Sequence, residues 1–264
     1  MAKRLVTLLL ILLLAACGGG GGGTAATSPV APVPQPPASA NADITVLMFG
    51  NSHTHFNDLP AMLAAMLRAG RPGKTVSVTA APGFQFLDQR LNDPESQALF
   101  NSRAWSAIIF QAQQYSASGQ FTYSTDDAIE LVRRTRARQI LPVMFPEWAR
   151  RGVNETDKLY NLHVSIAQQQ AACVAPIPQA WDLAFARIPG IVLHDADGNH
   201  SAPNGAFLAA LMLYATLTGQ SPASLPAISP FNVDANTQAS LRAIADEQVR
   251  LVAPRQHCPG DAML

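Results

Sequence analysis

Charged side chains are scarce in this chain of 264 residues, in which Asp, Glu, Lys and Arg together make up 14% of the composition. An average soluble domain has roughly 25%. The 18 basic residues balance the 18 acidic residues, so the formal net charge is zero. Proteins that bind nucleic acids depend on an excess of positive charge, and this composition therefore argues against a nucleic-acid partner.

Basic residues form one cluster in the sequence, which consists of Arg133, Arg134, Arg136 and Arg138. The cluster falls at the end of a predicted helix, where positive charge interacts favourably with the helix dipole. We interpret it as a helix terminus, and a site for an anionic ligand is the alternative.

The sequence begins with an apolar run, Leu5 to Leu14, that is too short to cross a bilayer comfortably, since a spanning helix needs about 20 residues. Lys3 and Arg4 precede it, and a basic start before a short apolar core is typical of a signal peptide. The next residues, Leu14-Ala15-Ala16-Cys17, resemble a bacterial lipobox. The resemblance implies cleavage before Cys17 and lipid attachment to its sulfur. The alternative is an ordinary cleavage site with an incidental cysteine.

The residue after Cys17 bears on the membrane address. Some bacteria retain a lipoprotein in the inner membrane when aspartate follows the cysteine, and Gly18 stands there instead. The resemblance therefore implies a lipid-anchored protein of the bacterial cell envelope, at the outer membrane or on the periplasmic face. Six glycines, Gly18 to Gly23, open a segment rich in Gly, Pro, Ala, Ser and Thr that cannot bury a core. We predict a signal peptide over 1–17, a linker over 18–42 and one domain over 43–264.

From Ile44 onward, short apolar segments alternate with segments of helical periodicity. The predicted strands cover 44–49, 75–81, 107–110, 140–145 and 173–177, and the predicted helices cover 59–70, 125–138, 154–172, 204–218 and 237–253. Pro176 and Pro178 place the fifth strand at an edge of the sheet. This alternation predicts an α/β fold, a three-layer α/β/α sandwich with a central parallel sheet of about five strands.

Cysteine is rare, and only Cys173 and Cys258 accompany Cys17. Export would remove the domain from the reducing cytosol, so a disulfide is permitted. Cys173 begins the fifth predicted strand, and Cys258 follows the last predicted helix. Helices in such a sandwich run antiparallel to the strands, so a helix end and a strand start share one edge of the sheet. We predict a Cys173–Cys258 disulfide, with two free thiols as the alternative.

The first predicted strand ends at Gly50-Asn51-Ser52, which places the hydroxyl of Ser52 at the carboxyl edge of the sheet, where ligands bind. Late in the chain, Asp197 and His200 lie three residues apart on a predicted loop before a helix. These two features resemble the first and last blocks of the SGNH (GDSL-like) hydrolases, and the resemblance extends over about 44–219. It implies a flavodoxin-like sandwich with a catalytic Ser, His and Asp.

The three residue types suit acyl transfer. A serine hydroxyl becomes a good nucleophile when an imidazole takes its proton, and a carboxylate can orient that imidazole. The predicted roles are therefore nucleophile for Ser52, base for His200 and orienting carboxylate for Asp197. Asp195 is a rival to Asp197, but the spacing of the family favours Asp197. The alternative for His200 is a surface histidine in a polar loop.

Such a site also needs donors for the oxyanion. The resemblance implies the backbone N–H of Ser52 and that of Gly83, which follows the second strand. The family usually supplies a third donor from an asparagine after the third strand, but this sequence has glutamines there. Gln111 is the predicted match, because some branches resembling carbohydrate acetylesterases have a glutamine after this strand. Gln113 and Gln114 remain alternatives, as does a polar loop without catalytic function.

Three further residues are candidates for substrate binding. His53 follows the predicted nucleophile and would line the pocket, and Gln114 lies on the loop after the third strand. Trp148 follows the fourth strand and would form either a wall against a sugar ring or part of the core. No metal and no cofactor are predicted. His53 and His55, with Asp58 nearby, could suggest a metal site, but further protein ligands could come only from His194 and Asp195 through the fold.

The sequence as a whole predicts a serine esterase of SGNH type. Its expected partners are an acylated carbohydrate or another ester substrate, and the membrane through a lipidated Cys17. Removal of acetyl or other short acyl groups from a carbohydrate or envelope glycan is the activity that the resemblance favours. The alternatives are a non-catalytic glycan-binding lipoprotein on the same fold, and a lipase or thioesterase of that fold, because fold alone does not determine the substrate.

Overall fold

The structure is a computed structural model and describes residues 42–264. The predicted signal peptide, Cys17 and the predicted linker up to residue 41 lie outside the described residues. None of the helices in the described part is both long enough and apolar enough to cross a membrane.

Five parallel strands form one sheet, and they are β1 (Ile44–Phe49), β2 (Val76–Ala80), β3 (Ala107–Phe110), β4 (Leu141–Met144) and β5 (Cys173–Val174). Their order in the sheet is β2-β1-β3-β4-β5, and every neighbouring pair is parallel. The strand order therefore reverses direction at β1. In open parallel sheets, ligands bind beyond the carboxyl ends of the strands at such a point.

Nine α-helices accompany the strands within residues 42–264. They are α1 (Ser52–His55), α2 (Leu59–Gly70), α3 (Leu87–Asn92), α4 (Pro94–Asn101), α5 (Asp126–Ala137), α6 (Thr156–Gln169), α7 (Ile177–Arg187), α8 (Pro203–Thr218) and α9 (Ala235–Leu251). Two 3₁₀ turns lie at Phe56–Asp58 and Pro222–Ser224.

The side chains of β1 alternate between two hydrophobic cores, because successive residues of a strand point to opposite faces of the sheet. Val46 and Met48 pack in a core with apolar residues of α2, α7, α8 and α9. Leu47 and Phe49 pack in a second core with residues of α3, α4, α5 and α6. Helices therefore cover both faces of the sheet, and the predicted three-layer fold class is confirmed.

Helix α8 lies inside the layer that also contains α2, α7 and α9. All residues from Gly205 to Thr218 are buried, and the helix is apolar on every side. A helix of this kind must be enclosed by other elements. Its neighbours α2, α7 and α9 provide that cover.

Sequence and structure differ most around β5. The strand ends at Val174 instead of reaching residue 177, and helix α7, which was not predicted, begins at Ile177. Pro178 lies in the first turn of α7, where proline is well tolerated because the amide it lacks has no partner there. The predicted edge position of β5 is correct. The short helices α3 and α4 were also missed.

Cys173 and Cys258 form a disulfide, with their Cα atoms 5.0 Å apart. Cys173 begins β5, so the bond lies at the amino-terminal edge of the sheet, opposite Ser52. The same C-terminal segment covers the edge of β5, because the N–H of Val174 donates to the carbonyl of Pro254 over 2.9 Å. The pairing is the one that the sequence predicts.

The basic cluster at the end of α5 makes contacts within the protein. Arg133 and Arg134 both pair with Glu130, and Arg136 pairs with Asp261. Arg138 donates to the carbonyl of Phe100 over 2.6 Å. These contacts agree with the interpretation as a helix terminus.

Candidate active site

Ser52 lies immediately beyond the carboxyl end of β1 and is the first residue of α1. The turn before it is tightly packed. A Cβ atom on Gly50 would lie 2.1 Å from Oγ1 of Thr54 and 2.5 Å from Oε1 of Gln111, so only glycine fits. Asn51 caps the short helix, since its Oδ1 accepts from the N–H of His53 over 3.1 Å. The turn leaves Ser52 partly exposed at this edge of the sheet.

His200 and Asp197 reach Ser52 from the loop between α7 and α8. Nε2 of His200 lies 2.8 Å from Oγ of Ser52, and Nδ1 of His200 lies 2.5 Å from Oδ2 of Asp197. The three side chains thus form a continuous chain of hydrogen bonds across 148 residues of sequence. This is the arrangement in which an imidazole takes a proton from a serine while a carboxylate fixes its tautomer.

Asp197 also organises the loop that carries His200. Its Oδ1 accepts from the N–H groups of Asn199 and His200, each over 2.9 Å. Partial burial acts to raise the pKa of Asp197, but the hydrogen bonds from the side chain of His200 and from these two N–H groups lower it to about 2. The side chain of Asp195, the rival in sequence, makes no hydrogen bond to His200 in the described part of the chain.

Aromatic and polar neighbours hold the His200 loop in place. The ring of Phe56 stacks on the imidazole of His200, and the imidazole of His53 lies 5.1 Å from it between centroids. Nδ2 of Asn57 donates to the carbonyl of Ser201 over 2.6 Å. Phe56 and Asn57 were not singled out from the sequence, because nothing in their spacing points to a loop more than 140 residues away.

Two backbone donors remain free beside this site. The N–H groups of Ser52 and Gly83 donate no hydrogen bond in the described part of the chain. Gly83 lies on the exposed loop after β2 and has φ of 74°, a left-handed conformation that favours glycine. Because β1 and β2 are neighbouring parallel strands, both donors lie at the same edge of the sheet.

Gln111 does not have the position that an oxyanion donor requires. Its side chain is fully buried, and Nε2 donates to Oε2 of Glu147 over 2.7 Å. Its Oε1 accepts from the N–H of Asn51 over 2.9 Å and from Oγ1 of Thr54 over 3.0 Å. The sequence-based assignment of Gln111 is therefore corrected, because its amide joins the turn before Ser52 to Glu147 instead of facing substrate.

Gln113 and Gln114, the two alternatives to Gln111, differ in whether the side-chain amide is already hydrogen-bonded within the protein. Gln113 is buried, and its Nε2 donates to the carbonyls of Gln114 and Ser124 over 3.0 Å each. Gln114 is partly exposed, and its side chain makes no hydrogen bond to another residue in the range 42–264. Of the three glutamines, only Gln114 therefore has an amide that is free to meet a ligand.

Trp148 and His53 lie behind the site. Trp148 is 1% exposed, its ring stacks on Trp181 with centroids 4.4 Å apart, and its Nε1 donates to the carbonyl of Asn199 over 2.8 Å. It therefore supports the His200 loop from the core, and the alternative role as a substrate wall does not fit. His53 is also buried, and its Nδ1 lies 3.2 Å from Oδ1 of Asn51.

Within residues 42–264, the candidate metal ligands near Ser52 are not among the groups of three or more that lie close enough to share an ion. Nε2 of His194 is hydrogen-bonded to the carbonyl of Ala149, and burial lowers the pKa of this imidazole. Among the described residues, the group that comes close enough to share an ion is Cys173, Cys258 and Asp261, at the opposite edge of the sheet. Its two sulfurs are joined in the disulfide.

Several solved structures share this architecture. A protein from Slackia heliotrinireducens described as an SGNH hydrolase has a TM-score of 0.53 and 27% identity, over 67% of this chain and 99% of that one. The fold of this chain is that of the SGNH hydrolases. A DUF4886 family protein from Bacteroides uniformis has a TM-score of 0.51 and 19% identity, over 84% of this chain and 97% of that one.

A third solved structure, that of TesA, has a TM-score of 0.51 and 14% identity, over 66% of this chain and 98% of that one. No family model matches the sequence, and no curated protein matches it. The resemblance to the SGNH hydrolases that the sequence suggests is thus supported at the level of the fold.

Proposed function

We propose that this protein is a serine ester hydrolase, with Ser52 as nucleophile, His200 as general base and Asp197 as the carboxylate that orients it. The observation that carries the proposal is the 2.8 Å distance between Oγ of Ser52 and Nε2 of His200 at the carboxyl edge of an SGNH fold. A hydroxyl and an imidazole at this distance can transfer a proton directly.

The reaction would proceed through an acyl-serine intermediate. His200 takes the proton of Ser52 as Oγ attacks the ester carbonyl, and then gives that proton to the departing alcohol. A water molecule, activated by the same imidazole, hydrolyses the acyl-serine and releases the acid. Asp197 keeps its negative charge throughout, because hydrogen bonds lower its pKa to about 2, and so it stabilises the imidazolium.

The negative charge that develops on the carbonyl oxygen needs donors that are already in place. The free N–H groups of Ser52 and Gly83 supply two in this proposal. Gln114 is the third, since the amides of Gln111 and Gln113 are used within the protein.

We infer that the substrate carries an acetyl or other short acyl group on a carbohydrate or envelope glycan. Phe84 supports a sugar as the alcohol portion, because this residue is 61% exposed and directly follows Gly83. An aromatic face in that position can pack against a sugar ring. The signal peptide and lipobox in the sequence support a location at the cell envelope, with the protein anchored through Cys17.

Labelling with a fluorophosphonate tests the serine chemistry, because this probe forms a covalent bond only with an activated serine. Wild type should be labelled and Ser52→Ala should not. An unlabelled, folded wild type would instead favour a glycan-binding protein without catalysis. A panel of esters of increasing acyl length then separates an acetylesterase from a lipase or thioesterase, since only the latter two would turn over long acyl chains faster than acetyl.

A further inference from the structure

Arg90 is a fully buried arginine on α3, the helix that follows the Gly83 loop. Its Nη2 donates to the carbonyls of Gly50 and Gly83, each over 2.8 Å. Its Nη1 donates to the carbonyl of Pro82 over 2.7 Å and to Oγ of Ser96 over 3.0 Å. One guanidinium group therefore joins the turn before Ser52 to the loop that carries Gly83.

The surroundings of Arg90 are unusual for a buried cation. No carboxylate in the described residues hydrogen-bonds to it, and three of its four acceptors are backbone carbonyls. Burial lowers the pKa of Arg90, but an arginine side chain remains protonated in proteins. The nearby carboxylates of Asp93 and Glu95 favour its charge without hydrogen-bonding to it, so the four acceptors must compensate for most of the cost of burial. The planar fork of a guanidinium is suited to hold several carbonyls at fixed angles.

The acceptor on Pro82 connects Arg90 to the oxyanion donor of Gly83. The carbonyl of Pro82 and the N–H of Gly83 belong to the same peptide unit, which is planar and has the two groups on opposite sides. Arg90 holds the carbonyl over 2.7 Å, so it also fixes the direction in which the N–H points. A hydrogen bond from a cation to the carbonyl polarises the peptide and makes its N–H a stronger donor.

The hydrogen bond from Arg90 to the carbonyl of Gly50 likewise fixes a peptide plane in the turn before Ser52. The carbonyl of Gly50 and the N–H of Asn51 form one peptide unit, which Arg90 holds from one side and Oε1 of Gln111 from the other. Ser52 follows this peptide directly. The position of its N–H and Oγ therefore depends on a peptide plane that is fixed at both ends.

We propose that Arg90 is a positioning residue for the hydrolysis described above. Its guanidinium group aligns the N–H groups of Gly83 and Ser52 on one oxyanion. The inference rests on the proposed function. Since the donors meet the oxyanion only when it has formed, misalignment should lower kcat and leave KM nearly unchanged.

The test compares Arg90→Lys and Arg90→Met with Arg138→Met in the hydrolysis of 4-nitrophenyl acetate. Arg138 is a matched control, because it donates to the carbonyls of Phe100 and Arg103 and lies over the ring of Phe100, before β4 at the opposite edge of the sheet. Lysine at position 90 keeps the charge, but one ammonium group cannot hold the carbonyls of both loops in the plane of a guanidinium.

We expect both Arg90 variants to lose at least about 50-fold in kcat with KM changed less than about threefold, which is of the order found when an oxyanion donor is lost. Arg138→Met should keep kcat within about threefold of wild type while lowering the thermal midpoint. Circular dichroism and thermal unfolding establish that each variant is folded.

The proposal would be overturned if folded Arg90→Lys kept the kcat of wild type. It would also be overturned if the Arg90 variants lost no more kcat than Arg138→Met. Failure of Arg90→Lys to fold would equally overturn it, because Arg90 would then serve the stability of the domain. The outcome is separate from that of the proposed function, which fails if wild type has no turnover or if Ser52→Ala retains it.

Discussion

The ring of Phe56 lies flat on the imidazole of His200, with the centroids 3.9 Å apart and the planes inclined by 11°. The residue after Phe56, Asn57, has a positive φ of 54° and donates to the carbonyl of Ser201. A short 3₁₀ turn therefore fixes the histidine in two ways, through its ring and through the backbone beside it. The same turn follows directly on the helix that begins with Ser52.

Removal of this ring should slow the reaction without unfolding the protein. We expect Phe56→Ala to lower kcat by about 2- to 10-fold, because an aromatic pair contributes roughly 0.5–1.5 kcal/mol to the position of its partner. Phe185→Ala is the matched control, since Phe185 stacks on His194 with planes 9° apart, on a histidine that does not contact Ser52. Steady-state kinetics of both variants check this expectation. If Phe56→Ala and Phe185→Ala lowered kcat equally, the expectation would be contradicted.

Asp197 should make the stability of the domain depend on pH in acid. Hydrogen bonds lower its pKa from the ordinary value of 3.8 to about 2 in the folded protein, so the folded state holds the proton less tightly than the unfolded chain. The stability gained from this carboxylate is thus fully present above about pH 4 and is lost as the pH falls towards 2. Because 46% of the side chain is exposed, solvent screening keeps the contribution small.

Urea unfolding of Asp197→Asn between about pH 5 and pH 2 measures this contribution. The free energy of unfolding should fall less steeply with acid in this variant than in wild type. Asp195→Asn, which alters a neighbouring carboxylate without a hydrogen bond to His200, should show the slope of wild type. Identical slopes for wild type and Asp197→Asn would refute the assignment.

The disulfide should stabilise the domain without affecting the reaction. Cys173 and Cys258 enclose a long loop, so we expect the double substitution to serine to lower the free energy of unfolding by roughly 2–4 kcal/mol. The bond lies at the amino-terminal edge of the sheet, so kcat should stay within about twofold of wild type. Non-reducing peptide mapping of exported protein checks the pairing, and two free thiols would disprove it.

Lipid attachment at Cys17 is a prediction from the sequence alone. The basic and apolar leader before Leu14-Ala15-Ala16-Cys17 leads us to expect cleavage before Cys17 and acylation of its sulfur. Two or more acyl chains would hold the protein firmly at the membrane. Intact-mass measurement on protein from the native host would show the added acyl mass, and Cys17→Ser should abolish it. An unmodified Cys17 in that host would be incompatible with anchoring.

The parts of the fold that could be predicted are those that local patterns determine. The first and third strands were located correctly because each is a run of buried apolar residues bounded by polar or small ones. The alternation of strands and helices then gives the parallel sheet. Ser52 follows the first strand in the turn Gly50-Asn51-Ser52, and Asp197 and His200 lie three positions apart on one loop, so both could be found through the resemblance to the SGNH hydrolases.

The parts that could not be predicted depend on contacts between distant residues. The side chain of Gln111 carries an amide that could donate to an oxyanion. Glu147, 36 residues later, accepts from that amide and so determines where it points. Arg90 reaches the carbonyl of Gly50 over 40 residues of sequence, and no local pattern marks it. The helices α3 and α4 are too short for a clear helical periodicity.

The measurement that tests the central proposal most directly is kcat for 4-nitrophenyl acetate in wild type, Ser52→Ala, His200→Ala and the double variant. Each single substitution should cost at least about a thousandfold, and the double variant little more, because the two side chains act as one unit. His257→Ala, at the opposite edge of the sheet beside Cys258, should retain the kcat of wild type. Undiminished hydrolysis by a folded Ser52→Ala would contradict the serine mechanism.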